Sequence, residues 1–363
     1  MLKYLKYYLS TLLLISAIII CSIGGNSPTI YFICFSSIII LGDIFLGKDV
    51  STEKYSYPFL INLPIYINIV PLVIFLTMVV YIFGNQGSLL LVNFYNRFLF
   101  IDLIHIKDGV TIFDGISLVL LSALFIGLNG VNPGHELTHR KKDKLNMFFG
   151  NWLLAFSWDC AFALEHVYGH HKNVGLPTDP ATAKRGEGLY RFILSAIIKE
   201  QHDAWLIEFD HLKKRGYTSF GIHNKMLIGY TRSLLITIGA YLIGGIVGMT
   251  FYLLCALLAK SFLEVINYTE HYGLVREPNM PVCKRHSWNS NNIISSLLLY
   301  NVTRHSAHHE KANLKFWELD AYPDAPMMPQ GYLSMLYLAF FLPFAYRKVM
   351  DKKLVDWDEN YAT

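Results

Sequence analysis

Nine of the chain's fourteen histidines fall into four tight groups whose spacing could do chemistry. The groups are His135-Glu136-Leu137-Thr138-His139, Glu165-His166-Val167-Tyr168-Gly169-His170-His171, Asn267-Tyr268-Thr269-Glu270-His271-Tyr272-Gly273 and Arg304-His305-Ser306-Ala307-His308-His309. On a helix, positions i and i+4 share a face, with β-carbons about 5–6 Å apart. His135/His139 and His166/His170 are therefore each expected to grip one ion, and His305, His308 and His309 form a triad with the same property. Imidazole suits iron, copper, zinc and nickel. A zinc ion normally takes four ligands, so nine histidines exceed what one zinc can use. Two ions with four or five nitrogens each would use them all, which points to a binuclear site. A lone histidine is more often a satisfied core residue, and that reading is kept for His105, His202, His211, His223 and His286.

Elements must bring these groups together, and the composition says of what kind. Of 363 residues 53% are hydrophobic and 16% charged, against about 25% charged in soluble domains. Residues 7–42, 55–96 and 115–134 contain no Asp, Glu, Lys or Arg, and a helix needs roughly 20 apolar residues to cross a hydrocarbon core. Spans are expected at about 7–24, 28–46, 63–84 and 114–133. The first follows Lys3 and Lys6 without a small-residue cleavage pattern, so it reads as a retained helix and not a signal peptide. Lys48 and Lys54, and the run from Arg140 to Lys144, put both basic linkers and the amino terminus on the cytoplasmic side. The net charge of +4 asks for no nucleic-acid partner. The five cysteines form no Cys-x-x-Cys pair, so neither a disulfide framework nor a sulfur metal site is expected.

Ligands to one centre must share one side of the membrane, and this decides the ambiguous runs. Residues 147–164, interrupted by Asp159, should not cross, because His166, His170 and His171 would be stranded. Residues 226–268 should fold as a helical hairpin turning near Gly244-Gly245, which returns His271 correctly. The expected fold is an all-α integral membrane protein with six transmembrane helices and a cytoplasmic helical cap holding a histidine-rich dimetal site. Its parts are 1–134 (four spans), 135–225 (first part of the cap, with two histidine groups), 226–268 (the hairpin) and 269–363 (second part of the cap, with the other two). Lys260 and Glu264 then sit at the inner end of the last span, pointing at the cap.

The four motifs, in this order, resemble those of the alkane 1-monooxygenase family, membrane non-haem iron hydroxylases that include xylene monooxygenase relatives. The flanks are similar too: Pro177-Thr178-Asp179-Pro180-Ala181, Asp324-Ala325-Pro326, Pro329-Gln330-Gly331-Tyr332 and Arg347-Lys348-Val349-Met350-Asp351. The likeness runs from about 30 to 357, and the Asn-Tyr-x-Glu-His-Tyr-Gly box is its most specific element. It implies two non-haem irons held by His135, His139, His166, His170, His171, His271, His305, His308 and His309, and oxygen insertion into the terminal methyl of a hydrocarbon. It implies electrons from a separate rubredoxin or ferredoxin, since no fused rubredoxin cysteines are present. Where the family usually has Leu-Gln before Arg-His, this chain has Val302-Thr303, which bears on the substrate.

An unactivated methyl group offers no handle to a base or nucleophile, so the oxidant must come from the metal while the protein positions and insulates it. Glu136, Glu165 and Glu270 each adjoin a ligand histidine and Asp179 follows the second group. These carboxylates are expected to hold imidazoles by their second nitrogens, Asp179 and Glu270 being closest to the chemistry and Glu270 alternatively touching a metal. The substrate, an alkane or alkyl chain, is expected from the bilayer through an apolar channel. Lys184, Arg185, Lys213, Lys214 and Arg215 offer a docking surface for an acidic electron donor or contacts for anionic lipid headgroups. The bacterial inner membrane is the expected location, and the oligomeric state is open. Four rivals share parts of the pattern: an alkyl-aromatic (xylene-type) methyl monooxygenase, a desaturase or fatty-acid hydroxylase, a zinc protease with Glu136 as base, and a metal-storage or transport protein. The protease reading leaves most of the histidines without a role.

Overall fold

The computed structural model describes residues 2–361; among these every regular element is helical, and extended backbone pairs only in two isolated bridges, Lys48–Asn292 and Asn289–Met327. In chain order the principal helices are α1 (Lys3–Cys21), α2 (Ser27–Phe45), α3 (Pro58–Phe83), α4 (Ile112–Thr138), α5 (Lys144–Ala155), α6 (162–173), α7 (Leu189–Lys214), α8 (Lys225–His271), α9 (Ile293–Leu298), α10 (His305–Glu310), α11 (Tyr332–Phe341) and α12 (Pro343–Tyr361). Five of them, α1–α4 and α8, are long and apolar enough to cross a membrane. They are helices because hydrocarbon offers no partner to a backbone group that the segment leaves unpaired. Their outward faces are bare apolar side chains, such as Leu12, Ile15 and Ile19 of α1 and Ile30 and Ile33 of α2. At 12 residues, α5 is too short to cross.

The 47-residue α8 is broken at Gly245, where φ is +64° and ψ is −161°. A straight helix would hold Gly229 and Lys260 about 46 Å apart. Yet a β-carbon on Gly229 would lie 2.3 Å from that of Cys160, and Lys260 Nζ is 2.8 Å from the carboxylate of Asp159 next to it. The two arms of α8 are therefore antiparallel. Their turn rests on the end of α3, where a β-carbon on Gly84 would stand 2.4 Å from Gly244 Cα and Asn85 N–H donates to Gly244 O at 3.0 Å. Backbones that touch this closely tolerate only glycine.

The same end of the bundle holds Lys107, whose ammonium donates to Gly84 O at 2.5 Å, and the α1–α2 turn, where Gly25 N lies 3.5 Å from the β-carbon position of Gly109. The histidine groups lie at the opposite end. There Asp43, near the end of α2, accepts from Ser295 N–H at 2.9 Å, Ser295 Oγ at 2.7 Å and Ser334 Oγ at 2.7 Å. One buried carboxylate thus fixes α9 and α11 to the membrane bundle. The fourth helix runs on through Thr138, so His135 lies inside it and not beyond a span ending at 133.

Candidate metal centre

All nine grouped histidines converge. His135, His139, His166 and His308 form one set and His170, His271, His305 and His309 another, with the ligand atoms of each set within 4.8 Å of one another. His171 joins the first set, its Nε2 lying 3.2 Å from that of His166 and 3.1 Å from that of His308. The remaining Nε2 contacts fall in the same narrow range: 3.0 Å for His135–His308 and for His135–His139, 3.2 Å for His170–His309, 3.1 Å for His271–His305 and 2.9 Å for His305–His309. Nitrogens that bind one ion at about 2.0–2.1 Å must stand about 2.9–3.4 Å apart, so the donor atoms fit two metal ions.

The distribution of ligands differs from the α-helical expectation. His166 and His170 fall in different sets of candidate ligands: the His166 Nε2 meets that of His171, five residues on, and His170 belongs to the other set. Residues His166–His170 form a π-helical turn, in which hydrogen bonds run i to i+5, and this changes which imidazoles face the same way. The triad on α10 also divides, His308 going to the first set and His305 and His309 to the second. His135 and His139 stay together as their i, i+4 spacing requires. A second π-helical stretch, Ile126–Val131, precedes His135.

Two second-nitrogen partners fix the ring orientation. His170 Nδ1–H donates to Asp179, 2.9 Å from Oδ2 and 3.2 Å from Oδ1, and His271 Nδ1–H donates to the carbonyl of His286 at 3.1 Å. Since those oxygens only accept, the neutral, metal-binding form of each ring has its Nε2 lone pair facing inward. Asp179 itself accepts from Thr182 Oγ1 at 2.5 Å. Burial would lower the His170 pKa, but Asp179 outweighs it and the net shift is upward. Burial and then mutual repulsion hold His139, His166, His171, His305, His308 and His309 well below the ordinary imidazole value. They are neutral at pH 7, the form that binds metal.

The glutamates behave differently from one another. Glu136 holds no imidazole: its carboxylate pairs at 2.7 Å with Arg140, four residues on and just beyond the end of α4. That pairing also removes it from the role of a protease base. Glu165 holds none either; its Oε1 is buried without a hydrogen-bond partner and lies 2.5 Å from where a β-carbon on Gly169 would be. Burial, then repulsion from Asp179, raises the Glu165 pKa. Glu270 points into the second set, its Oε2 lying 3.3 Å from His305 Nε2.

Motif residues that carry no ligand hold the scaffold. Arg304 is buried and donates to the carbonyls of Leu319 at 2.7 Å, Asp49 at 3.0 Å and Ser51 at 2.9 Å, which seats the start of α10. Tyr268 OH donates to Glu187 O at 2.7 Å, Tyr272 OH accepts from Gly186 N–H at 3.0 Å and lies 3.2 Å from Asp351. The aromatic residues of that box thus clamp the loop before α7 and the helix α12 around His271.

An apolar cavity reaches the centre from among α4, the second arm of α8 and α11. Leu128, Phe162, Phe262, Leu299, Val302 and Leu336 are among its walls, and its polar end presents His135, His166, His305, Asn267 and Glu270. A separate polar pocket opens at the surface with Asp179 on its lining and Lys184, Arg191 and Lys199 around it. The expected basic surface divides accordingly. Arg185 is engaged by Asp358 through bonds of 2.8 and 2.6 Å and Lys214 by Asp210 at 2.6 Å, whereas Arg191 and Lys199 joined the surface without any sequence motif to mark them.

Reading the sequence missed two further features. The His286 carbonyl is a backbone group and leaves no trace in residue type. Lys260 is surrounded by Asp159, Glu200 and Glu264, of which the first two come from distant segments.

Residues 115–339 match the fatty acid desaturase family model. An alkane 1-monooxygenase of Alcanivorax borkumensis is 33% identical over 262 residues, 71% of this chain and 68% of its own length. One from Pseudomonas aeruginosa is 37% identical over 241 residues, covering 65% of this chain and 63% of that protein, so the chain spans about two thirds of the length of these relatives. The hydroxylase component of a Pseudomonas putida xylene/toluene monooxygenase is 30% identical over 361 residues, 99% of this chain and 91% of its own. With the histidine motifs at the heart of the matched region, the chain belongs to the membrane alkane and alkyl monooxygenases, oxidoreductases within the wider fatty acid desaturase family.

Proposed function

We propose that this protein hydroxylates the terminal methyl group of a hydrocarbon, an n-alkane to a 1-alkanol, using dioxygen and electrons from a separate rubredoxin-type or ferredoxin-type donor. The single observation that carries the reading is the meeting of two imidazole sets with the end of an apolar cavity. Two irons, held by His135, His139, His166, His171 and His308 on one side and by His170, His271, His305 and His309 on the other, would supply dioxygen activation. Asp179 and the His286 carbonyl keep the ligand nitrogens aimed inward. The cavity wall excludes water and lays the chain with its end toward Glu270 and the first imidazoles, so that the inert methyl is presented by shape alone. Orientation by an apolar wall is the contribution a protein can make to a substrate without polar groups.

The lysines and arginines at the histidine end, from Lys3 and Lys6 to the run at Arg140–Lys144, support a cytoplasmic centre in a bacterial inner membrane. The antiparallel arms of α8 support six crossings. The donor would approach over Lys184, Arg191 and Lys199, where Asp179 leads inward to His170.

Elemental analysis of detergent-purified protein tests the reading first. About two irons per chain, with conversion of octane to octanol by a reductase and rubredoxin, are expected. A single zinc unaffected by supplying iron during expression would overturn it. The alignment with the xylene/toluene component over nearly the whole chain favours one second reading, a methyl group on an aromatic ring. Xylene oxidised while octane is not would select it.

A further inference from the structure

Beside the metal centre lies a second buried polar group that the hydroxylation scheme above does not use. Lys260 Nζ stands 2.6 Å from Glu264 Oε1, 2.7 Å from Glu200 Oε2 and 2.8 Å from Asp159 Oδ2. The four residues are between 0% and 5% exposed. One ammonium facing three ionised carboxylates would leave an excess of two negative charges in a buried site. Burial of that kind is relieved by binding protons. Burial raises the pKa of Asp159 against the pull of Lys260, and burial followed by repulsion from Glu264 raises that of Glu200 well above the usual range. A structural staple between α7 and α8 would need one acid, not three, and buried ion pairs of this sort are weak sources of stability.

The cluster is connected to the centre along one face of α8. Glu264 Oε2 accepts from Asn267 Nδ2 at 3.1 Å, and Asn267 and Glu270 both line the polar end of the cavity. Positions 260, 264, 267 and 270 advance by four, three and three residues, the spacing of one helix face. On the other side, the unpartnered Oε1 of Glu165 lies within electrostatic reach of Lys260 and of Asp179 and His170. Toward solvent, Asp203 stands one turn along α7 from Glu200 and is 38% exposed.

Hydroxylation consumes protons in a cavity that excludes water. The balance is O2 + RH + 2e⁻ + 2H⁺ → ROH + H2O: the C–H and O–O bonds break, one oxygen enters the product and the other leaves as water. A one-electron iron–sulfur donor supplies the two electrons. We propose that the Lys260–Asp159–Glu200–Glu264 cluster is a proton reservoir that supplies those two protons to the metal centre from Glu264, the acid nearest the cavity end, with Asn267 holding that carboxylate in place by donating to it and carrying no proton itself. The proposal rests on the monooxygenase reading for the demand and on the cluster alone for the supply.

The two halves are tested separately. Infrared spectra of the metal-free protein in detergent should show the carbonyl stretch of a protonated carboxylic acid that shifts in D2O and weakens in at least one of Asp159→Asn, Glu200→Gln and Glu264→Gln. In the iron-loaded enzyme, Glu264→Gln should slow product formation by about 100-fold at unchanged iron content. It should enlarge the solvent isotope effect and divert donor electrons to hydrogen peroxide, while Glu264→Asp recovers part of the coupling. A staple would not move those readouts. If no amide variant weakens the band, the reservoir is refuted. If all three keep iron, rate and product per electron within twofold, delivery is refuted. A wild type that hydroxylates no hydrocarbon while retaining the band removes the demand and defeats the monooxygenase reading, and with it the delivery step.

Discussion

Removing the Asp179 carboxylate isolates the contribution of one ring-orienting contact to one half of the metal centre. Asp179 and His170 side chains are 0% and 1% exposed, and two oxygens at 2.9 and 3.2 Å receive one Nδ1–H. In Asp179→Ala that N–H is left buried and unpaired, and the imidazole is free to turn its Nε2 away from His309, 3.2 Å distant. Loss of such a partner typically costs 10–100-fold in metal affinity, which is about 1.4–2.7 kcal/mol. Asp179→Asn keeps an oxygen acceptor and should fall at the lower end. The loss should be concentrated in the set containing His170, His271, His305 and His309, because the ring that Asp179 holds belongs to that set, where the His286 carbonyl still holds His271. The assay is iron retained per chain against a graded chelator, read beside Mössbauer spectra that resolve two inequivalent irons. Full iron loading with unchanged chelator resistance in Asp179→Ala would refute the reasoning.

Further expectations follow from neighbouring contacts. Glu136→Gln should leave iron content intact and lower stability by about 1.5–3 kcal/mol, because its partner is Arg140 at 2.7 Å; iron loss like that of Asp179→Ala would restore an imidazole role for Glu136. Gly84→Leu should lower the thermal midpoint in detergent, with at least the about 1–3 kcal/mol of an overpacked core, since even a β-carbon there stands 2.4 Å from Gly244 Cα; an unchanged midpoint would count against the seat of the α8 turn. Val302→Trp should shorten the longest hydrocarbon accepted, with about 10-fold or greater loss for the longest chains, read from product lengths in a mixed-alkane assay; an unchanged product profile would remove Val302 from the substrate path. Arg191→Glu with Lys199→Glu should raise the donor KM about 10-fold, whereas reversal at Lys213–Arg215, about 21 Å farther along α7, should not; the opposite ranking would move the docking face.

The membrane helices were legible because a span must exclude charge, and residues 7–42, 55–96 and 115–134 do so completely. The fold-back of α8 was legible for a chemical reason: His271 had to reach the same centre as His135, and a Gly-Gly pair offered the turn. The ends of helices were less so. Nothing apolar distinguishes residues 133 and 138, and α4 continues because His135 and Glu136 find partners at the centre and on Arg140 instead of in water.

Within the site, residue types were legible and their partners were not. Ligand histidines announce themselves by number and spacing, but spacing converts to geometry only once the helix type is known. In Glu-His-Val-Tyr-Gly-His-His no residue distinguishes an α-turn from the π-turn that forms, and the two assign His170 and His171 to different ions. Adjacency misled in a second way. Successive helical residues point about 100° apart, so a carboxylate beside a ligand histidine faces away from the ligand's own ring; Glu136 reached Arg140 and Glu165 settled over Gly169. The carboxylate that does hold a ring, Asp179, comes from a loop nine residues beyond His170. A loop can turn back on the second nitrogen from outside the helix, where no neighbour on the helix itself can reach. Ring-orienting partners in such a centre should therefore be sought in the connections between ligand helices, at prolines such as Pro177 and Pro180 that stiffen them, and in carbonyls such as that of His286.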